Sequence, residues 1–199
     1  MSVSLKKGEL VSLAKVARRP LQRLFVGLGW EASRRGWLGW IPQQIDLDAS
    51  CLAYNDHGEL RDVVWFRCLE GAHGAIRHSG DNLTGEGAAL ADDERITVAL
   101  DRLQPDVTDL VFVVTSYSGQ PFDRVKDAFC RVVDAETQQE LARYNLTCTG
   151  EHTGMVVARL TRVLGDWQVQ ALGTPGDGRT YHQLVPTVRQ ILNLKVASA

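Results

Sequence analysis

Residues 45–58 read Ile-Asp-Leu-Asp-Ala-Ser-Cys-Leu-Ala-Tyr-Asn-Asp-His-Gly, an alternating run that ends in four turn-forming residues. Alternation with a period of two is typical of a β-strand that places one face in a core. Asn55 to Gly58 then supply residue types that suit a tight connection between two strands. The stretch therefore predicts a strand over Ile45–Tyr54 that enters a hairpin.

The same pattern recurs along the rest of the chain. Gly165-Asp166 suits a tight primed turn between two further strands. So many short strands at close spacing favour an all-β, antiparallel two-sheet β-sandwich over a βαβ arrangement. The other predicted strands are Leu10–Ala14, Arg23–Leu28, Val63–Cys68, Arg95–Leu100, Leu110–Tyr117, Phe129–Asp134, Glu140–Asn145, Gly154–Val163 and Trp167–Leu172.

Helices are predicted in only two places. Residues 123–128 could form one turn, and the tail over 181–194 carries an apolar stripe with helical spacing, which predicts a C-terminal helix packed on a sheet. Residues 31–44, rich in Trp, Arg and Gly, are interpreted as a loop inserted between two strands. That loop either contacts a partner or folds back onto the sandwich.

The bulk composition favours a globular, cytoplasmic protein of one domain. The chain has 199 residues, 44% of them hydrophobic, with a net charge of −2 and an estimated pI near 6.2. This balance gives no basis for nucleic-acid binding, which normally needs a basic face. No apolar run is long enough for a signal peptide or a membrane span, so direct insertion into a membrane is not expected. The four cysteines form no CxxC pair and are interpreted as reduced thiols.

Acidic residues concentrate between positions 46 and 94. Asp46 and Asp48 would project from the same face of one strand, where two carboxylates repel unless a cation lies between them. Residues 79–87 read Ser-Gly-Asp-Asn-Leu-Thr-Gly-Glu-Gly, and Asp92-Asp93-Glu94 follow. Carboxylate, amide and backbone oxygens are the ligands that Ca²⁺ takes, whereas zinc prefers His or Cys. An acidic, glycine-rich loop can also be an ordinary solvated turn.

The sequence offers little support for an enzyme. It contains no Gly-x-Ser-x-Gly elbow, and no Walker-type lysine follows the glycine-rich stretch. Glu86 or Asp81 could act as a general base beside a metal, which keeps open a metal-dependent enzyme acting on a phosphate-bearing substrate. A metal-free structural subunit is the other alternative.

Several strings together resemble the TerD family of tellurium-resistance and stress-response proteins. They include Val-Gly-Leu-Gly-Trp at 26–30, Ile-Asp-Leu-Asp-Ala-Ser at 45–50, and His-Ser-Gly-Asp-Asn-Leu-Thr-Gly-Glu-Gly at 78–87. Trp65-Phe66-Arg67 and the Gly-Glu-His-Thr-Gly stretch at 150–154 are more similar to the TerZ branch. The resemblance runs from about residue 2 to at least 185, which implies a single TerD-type domain over 1–199.

The resemblance implies a calcium-binding β-sandwich that works in resistance to tellurite and other stresses. No catalytic residues are predicted, since the motifs of hydrolases and of P-loop enzymes are missing from the sequence. It implies one or two Ca²⁺ ions, and partners among other Ter-family proteins in a complex that could associate with the membrane. Two departures stand out: the apolar Ala88–Ala91 piece, and Tyr117-Ser118-Gly119 where relatives often carry an acid after the Tyr. The implied ligands are Asp46, Asp48, Asp81, Asn82, Gly85, Glu86, Asp92, Asp93 and Glu94.

Overall fold

Two facing β-sheets form the body of the protein, which confirms the predicted two-sheet β-sandwich. The computed structural model describes residues 2–32, 46–80, 92–146 and 150–196. One sheet has seven strands in the order β1-β11-β10-β3-β8-β7-β6, and the other has six in the order β2-β13-β12-β9-β4-β5. All neighbouring strands run antiparallel except β1 and β11, which are parallel.

The seven-stranded sheet contains β1 (Val3–Leu5), β3 (Arg23–Ala32), β6 (Glu70–Gly71), β7 (Ile76–His78), β8 (Glu94–Ala99), β10 (Val125–Asp134) and β11 (Glu140–Asn145). The six-stranded sheet contains β2 (Leu10–Ser12), β4 (Leu47–Tyr54), β5 (Leu60–Val64), β9 (Asp109–Ser116), β12 (Gly154–Val163) and β13 (Asp166–Gly176). The α-helices are α1 (Leu13–Ala17) and α2 (Tyr181–Val196). Short 3₁₀ turns cover Ala72–Gly74 and Phe122–Arg124.

The main core lies between the two sheets and is built by alternate residues of each strand. On β4, for example, Leu47, Ala49 and Cys51 enter this core, and each is at most 8% exposed. The opposite face of the six-stranded sheet carries a second apolar cluster, in which Leu52 and Tyr54 meet Leu184, Val188 and Leu192 of α2. The predicted C-terminal helix is thus confirmed, and it covers the outer face of the six-stranded sheet. Neither described α-helix is long and apolar enough to cross a membrane.

The predicted hairpins are present, one of them with a shifted turn. The Gly58 N–H donates to the Asn55 carbonyl at 3.0 Å between β4 and β5. In the β12–β13 hairpin the two residues with positive φ are Leu164 (50°) and Gly165 (82°). The prediction of a primed turn was therefore right in type but one residue late in position, because Gly165 is the second central residue.

Several element boundaries were wrong. The strand predicted over Leu10–Ala14 ends at Ser12, whose hydroxyl accepts from the Lys15 N–H at 3.2 Å and caps α1. The strand predicted over Val63–Cys68 ends at Val64. The helical turn predicted at 123–128 is a 3₁₀ turn at Phe122–Arg124, and β10 begins at Val125.

The short strands β1, β6 and β7 escaped prediction, because two or three residues carry too little alternation to be recognised. The first two residues of the loop predicted at 31–44 belong instead to β3, which extends to Ala32. The rest of that loop lies outside the described residues.

Candidate metal centre

Two carboxylates stand where β4 begins, as the sequence predicted. Leu47 and Ala49 enter the core, so Asp46 and Asp48 fall on the opposite face, the one that α2 covers farther along the strand. Asp48 lies directly across from Thr115 of β9 in the strand register and is only 3% exposed. Burying a carboxylate is costly unless donors or a cation offset the lost hydration. The local structure therefore concentrates negative charge at this end of β4.

Glu94 reaches the backbone of the same strand. Its Oε2 atom accepts the Ala49 N–H at 2.6 Å, and the residue is 1% exposed. Strand β5 ends at Val64, opposite Cys51, so its ladder does not extend to Ala49. The carboxylate of Glu94 therefore takes the place of a ladder partner and ties β8 to β4.

His78 supports this link from β7. Its Nδ1 atom accepts the Gly80 N–H at 3.0 Å, so the ring proton sits on Nε2. Nε2 lies 3.2 Å from the Ala49 carbonyl oxygen and 3.5 Å from Oε2 of Glu94. The strands that flank residues 81–91 thus both reach β4 one residue from Asp48.

Asp92 is held in a different place, on the outer face of the seven-stranded sheet. Its carboxylate oxygens accept from Arg131 Nε at 2.6 Å, Arg131 Nη2 at 2.9 Å and Arg95 Nε at 2.8 Å. Gly27 lies beneath, and a Cβ at that position would collide with the Asp92 carboxylate. These contacts assign Asp92 a structural ion pair that a metal ligand would have to give up.

Asp93 binds the backbone of β3 just beyond Leu28, the last residue of β3 that pairs with β8. Its Oδ2 atom accepts the Trp30 N–H at 2.9 Å, and its own N–H donates to the Leu28 carbonyl at 2.8 Å. Trp30 is 3% exposed and belongs to the main core. Asp93 therefore has a structural role, because it ties the start of β8 to a buried part of β3.

The structure brings together some predicted ligands and not others. Asp46 and Asp48 share the outer face at the start of β4, and Glu94 reaches the Ala49 amide from the other sheet. Asp92 lies on the far side of the seven-stranded sheet. Within the described residues, no three His, Cys, Asp or Glu side chains converge tightly enough to hold an ion by themselves. The predicted ligands Asp81, Asn82, Gly85 and Glu86 lie outside the described residues, so their assignment stays a prediction.

The oxygen ligands among the described residues are of the chemical type that a hard cation prefers. Asp46 and Asp48 offer carboxylate oxygens, the ligand class that Ca²⁺ takes six to eight at a time. Gly80 and Asp92 bound the segment 81–91, and β7 and β8 place both of these ends at the edge that reaches β4. Asp46 and Asp48 would hold part of a shell, with the remaining oxygens drawn from residues 81–91 or water.

Sequence reasoning missed the partners that fix these acids. Nothing in the local pattern marks Arg131 as the partner of Asp92 or His78 as the neighbour of Glu94. Gly27 carried a usable signal, since a glycine inside a strand often marks a close approach by another group.

The sequence pattern that defines the TerD domain matches residues 1–185. The chain belongs to the TerD family. Tellurium resistance protein TerZ of Serratia marcescens is 49% identical over 182 residues, which cover 89% of this chain and 92% of the relative. Tellurium resistance protein TerD of the same organism is 39% identical, over 87% of this chain and 90% of the relative. These likenesses support a tellurium-resistance and stress-response protein similar to TerZ.

Two further comparisons agree. Stress response protein SCP2 of Bacillus subtilis (strain 168) is 36% identical, over 87% of this chain and 92% of the relative. The crystal structure of a TerD homologue from Streptomyces coelicolor A3(2) superposes with a TM-score of 0.66 at 24% identity, over 86% of this chain and 98% of that one. The superposition shows that the TerD fold is shared.

Proposed function

We propose that this TerD-family protein is a calcium-binding stress-response protein that acts as a Ca²⁺-dependent interaction module in the cytoplasm, without catalysis of its own. The observation that carries the proposal is the pair formed by Asp46, one residue before β4, and Asp48, within β4, with Asp48 almost fully buried. Adjacent carboxylates repel each other, and a cation between them turns that repulsion into attraction. Other Ter-family proteins are the partners we propose, in a complex that could associate with the membrane.

Calcium binding should stabilise the fold measurably. At 1 mM Ca²⁺ and a sensor-like dissociation constant of about 1 μM, mass action adds about 4 kcal/mol to the free energy of unfolding. For a domain of this size, that corresponds to a rise in melting temperature of about 8–16 °C. The assay is thermal melting of chelator-stripped protein with Ca²⁺, with Mg²⁺, and with neither.

The test needs one variant in which both candidate carboxylates are replaced, and a control variant that loses the same two negative charges elsewhere. Asp46→Asn with Asp48→Asn should abolish the calcium-induced rise. The control, Asp56→Asn with Asp101→Asn, removes the same charge at exposed positions and should keep it.

The outcomes separate the candidate functions. If Ca²⁺ leaves the melting temperature of the wild-type protein unchanged, the proposal fails and a metal-free structural subunit takes its place. A preference for Mg²⁺ together with turnover of a phosphate ester would instead indicate a metal-dependent enzyme.

A further inference from the structure

A cavity lies at the edge of the sandwich away from the candidate metal residues. Its volume is about 450 Å³, within the range of about 300–1,000 Å³ that is typical of small-molecule sites. It opens where β1 and β11 of one sheet face β12 and β13 of the other. Strand β9 separates it from β4, and strands β10 and β3 separate it from β8. The lining residues are Leu5, Lys6, Lys7, Tyr144, Asn145, His152, Met155, Gly173 and Pro175.

One wall is the β1–β2 turn, which carries two lysines and is held in place. The Gly8 N–H donates to the Ala171 carbonyl at 2.7 Å, and the Ala171 N–H donates back to the Glu9 carbonyl at 3.0 Å. The Glu9 carboxylate accepts the Lys6 N–H at 2.8 Å inside the turn. The backbone that presents Lys6 and Lys7 is therefore fixed against β13 before any ligand arrives, which lowers the entropic cost of binding.

The floor of the cavity is apolar, and its opposite wall is formed by closely packed residues. Leu5 and Met155 are 7% and 3% exposed and give an apolar floor. Gly173 has φ of 56°, and a Cβ there would collide with the Tyr144 hydroxyl. The absent side chain makes room for Tyr144 to lie along the cavity.

His152 closes the remaining side. Its ring meets Phe122 edge-on, with the ring centroids 5.2 Å apart, which fixes its orientation. Its Nε2 atom is buried and has no hydrogen-bond partner among the described residues. A buried nitrogen without a hydrogen bond lowers the stability of the protein, and a bound molecule that supplies the hydrogen bond would remove this penalty.

The charge of the lining decides the class of ligand. Lys6 and Lys7 are positive, and among the residues that the structure describes no Asp or Glu lines the cavity. The acids Asp123 and Asp177 act on His152 from nearby without contributing to the lining. The rest of the surface is apolar or neutral, with an aromatic hydroxyl and an amide for orientation.

We propose that this cavity binds a small organic anion, with its acidic group toward Lys6 and Lys7 and its apolar body over Leu5 and Met155. Binding does not involve the candidate metal residues, so it should persist in chelator. This separates its failure from a failure of the proposed calcium function.

The test uses three probes with the full-length protein in EDTA: 2-naphthoate, acetate and 2-naphthylmethanol. Only 2-naphthoate has both an acidic group and an apolar body, so it should bind at least tenfold more tightly than either other probe. Two-dimensional amide NMR should show saturable shifts at Leu5 to Lys7, Tyr144, Asn145 and Gly173.

A charge-matched pair of variants completes the test. Lys6→Glu with Lys7→Glu reverses the charge at exposed positions and should weaken 2-naphthoate binding about tenfold or more, because each nearby unit charge contributes on the order of 1 kcal/mol in water. Lys15→Glu with Arg18→Glu makes the same charge change on α1 and beyond its end, and should leave the affinity within twofold. Equal affinity of both variants, shifts confined to other surfaces, or no saturable binding would each overturn the proposal.

Discussion

Replacing Asp92 tests whether this carboxylate stabilises the fold through an ion pair or binds a metal ion. Its side chain is 0% exposed and accepts three charged hydrogen bonds, two of them from Arg131, whose side chain is 21% exposed. Asp92→Asn keeps the size but removes the charge. It leaves Arg131, in a largely buried place, with only its longer contact to Glu140 at 3.5 Å. Removing one partner of a buried pair costs about 3–5 kcal/mol. Arg95 is half-exposed, so its contact adds little.

The lower value, about 3 kcal/mol, corresponds to a drop in melting temperature of about 6–12 °C for a domain of this length. The drop should have the same size in EDTA and in Ca²⁺, because the ion pair exists without metal. Thermal melting under both conditions measures it. Gly27→Ala should act in the same direction, since the new Cβ collides with the Asp92 carboxylate.

Two results would refute this reasoning. A melting temperature in EDTA within 2 °C of wild type would mean that the ion pair contributes nothing to stability. A normal melt in EDTA combined with a lost calcium response would instead restore Asp92 as a ligand. Asp62→Asn is a poor control because Asp62 binds the Ala72 N–H; Asp56→Asn, at an exposed turn, is the matched one.

Three further outcomes follow from burial. In the native protein, iodoacetamide should label exposed Cys68 quickly and Cys130 only after unfolding, as peptide mass spectrometry can measure, because burial raises the pKa of Cys130 to about 12. Leu184→Ala should lower the free energy of unfolding by about 2–4 kcal/mol in urea melts, because it empties the contact between α2 and the sheet. Burial lowers the pKa of His152 in the folded state, so the unfolded state binds more protons and stability should fall as pH drops below about 6.5. His152→Gln should flatten that slope in pH-dependent melts, whereas His57→Gln, at an exposed position, should not.

The sequence by itself determined the fold class and the composition of the acidic end. Alternation along Ile45–Tyr54 and its counterparts reflects a periodicity of two that any strand with one buried face must have. Glu140–Asn145 and Gly154–Val163 were predicted to the residue, because long alternating runs flanked by turn residues leave little freedom at their ends. The placement of Asp46 and Asp48 on one face follows from the same periodicity.

Only the tertiary structure decided which group each acid binds. Asp92, Asp93 and Glu94 are consecutive, yet they bind Arg131 and Arg95, the Trp30 amide and the Ala49 amide respectively. Apart from the contact with Arg95, three residues along the chain, these contacts join residues that are 39 to 63 positions apart in sequence, and no local pattern specifies them. The cavity beside Lys6 and Lys7 has the same origin, since it exists only because β1, β11, β12 and β13 meet at one edge. Local periodicity fixes which way a side chain points, but packing fixes what it meets.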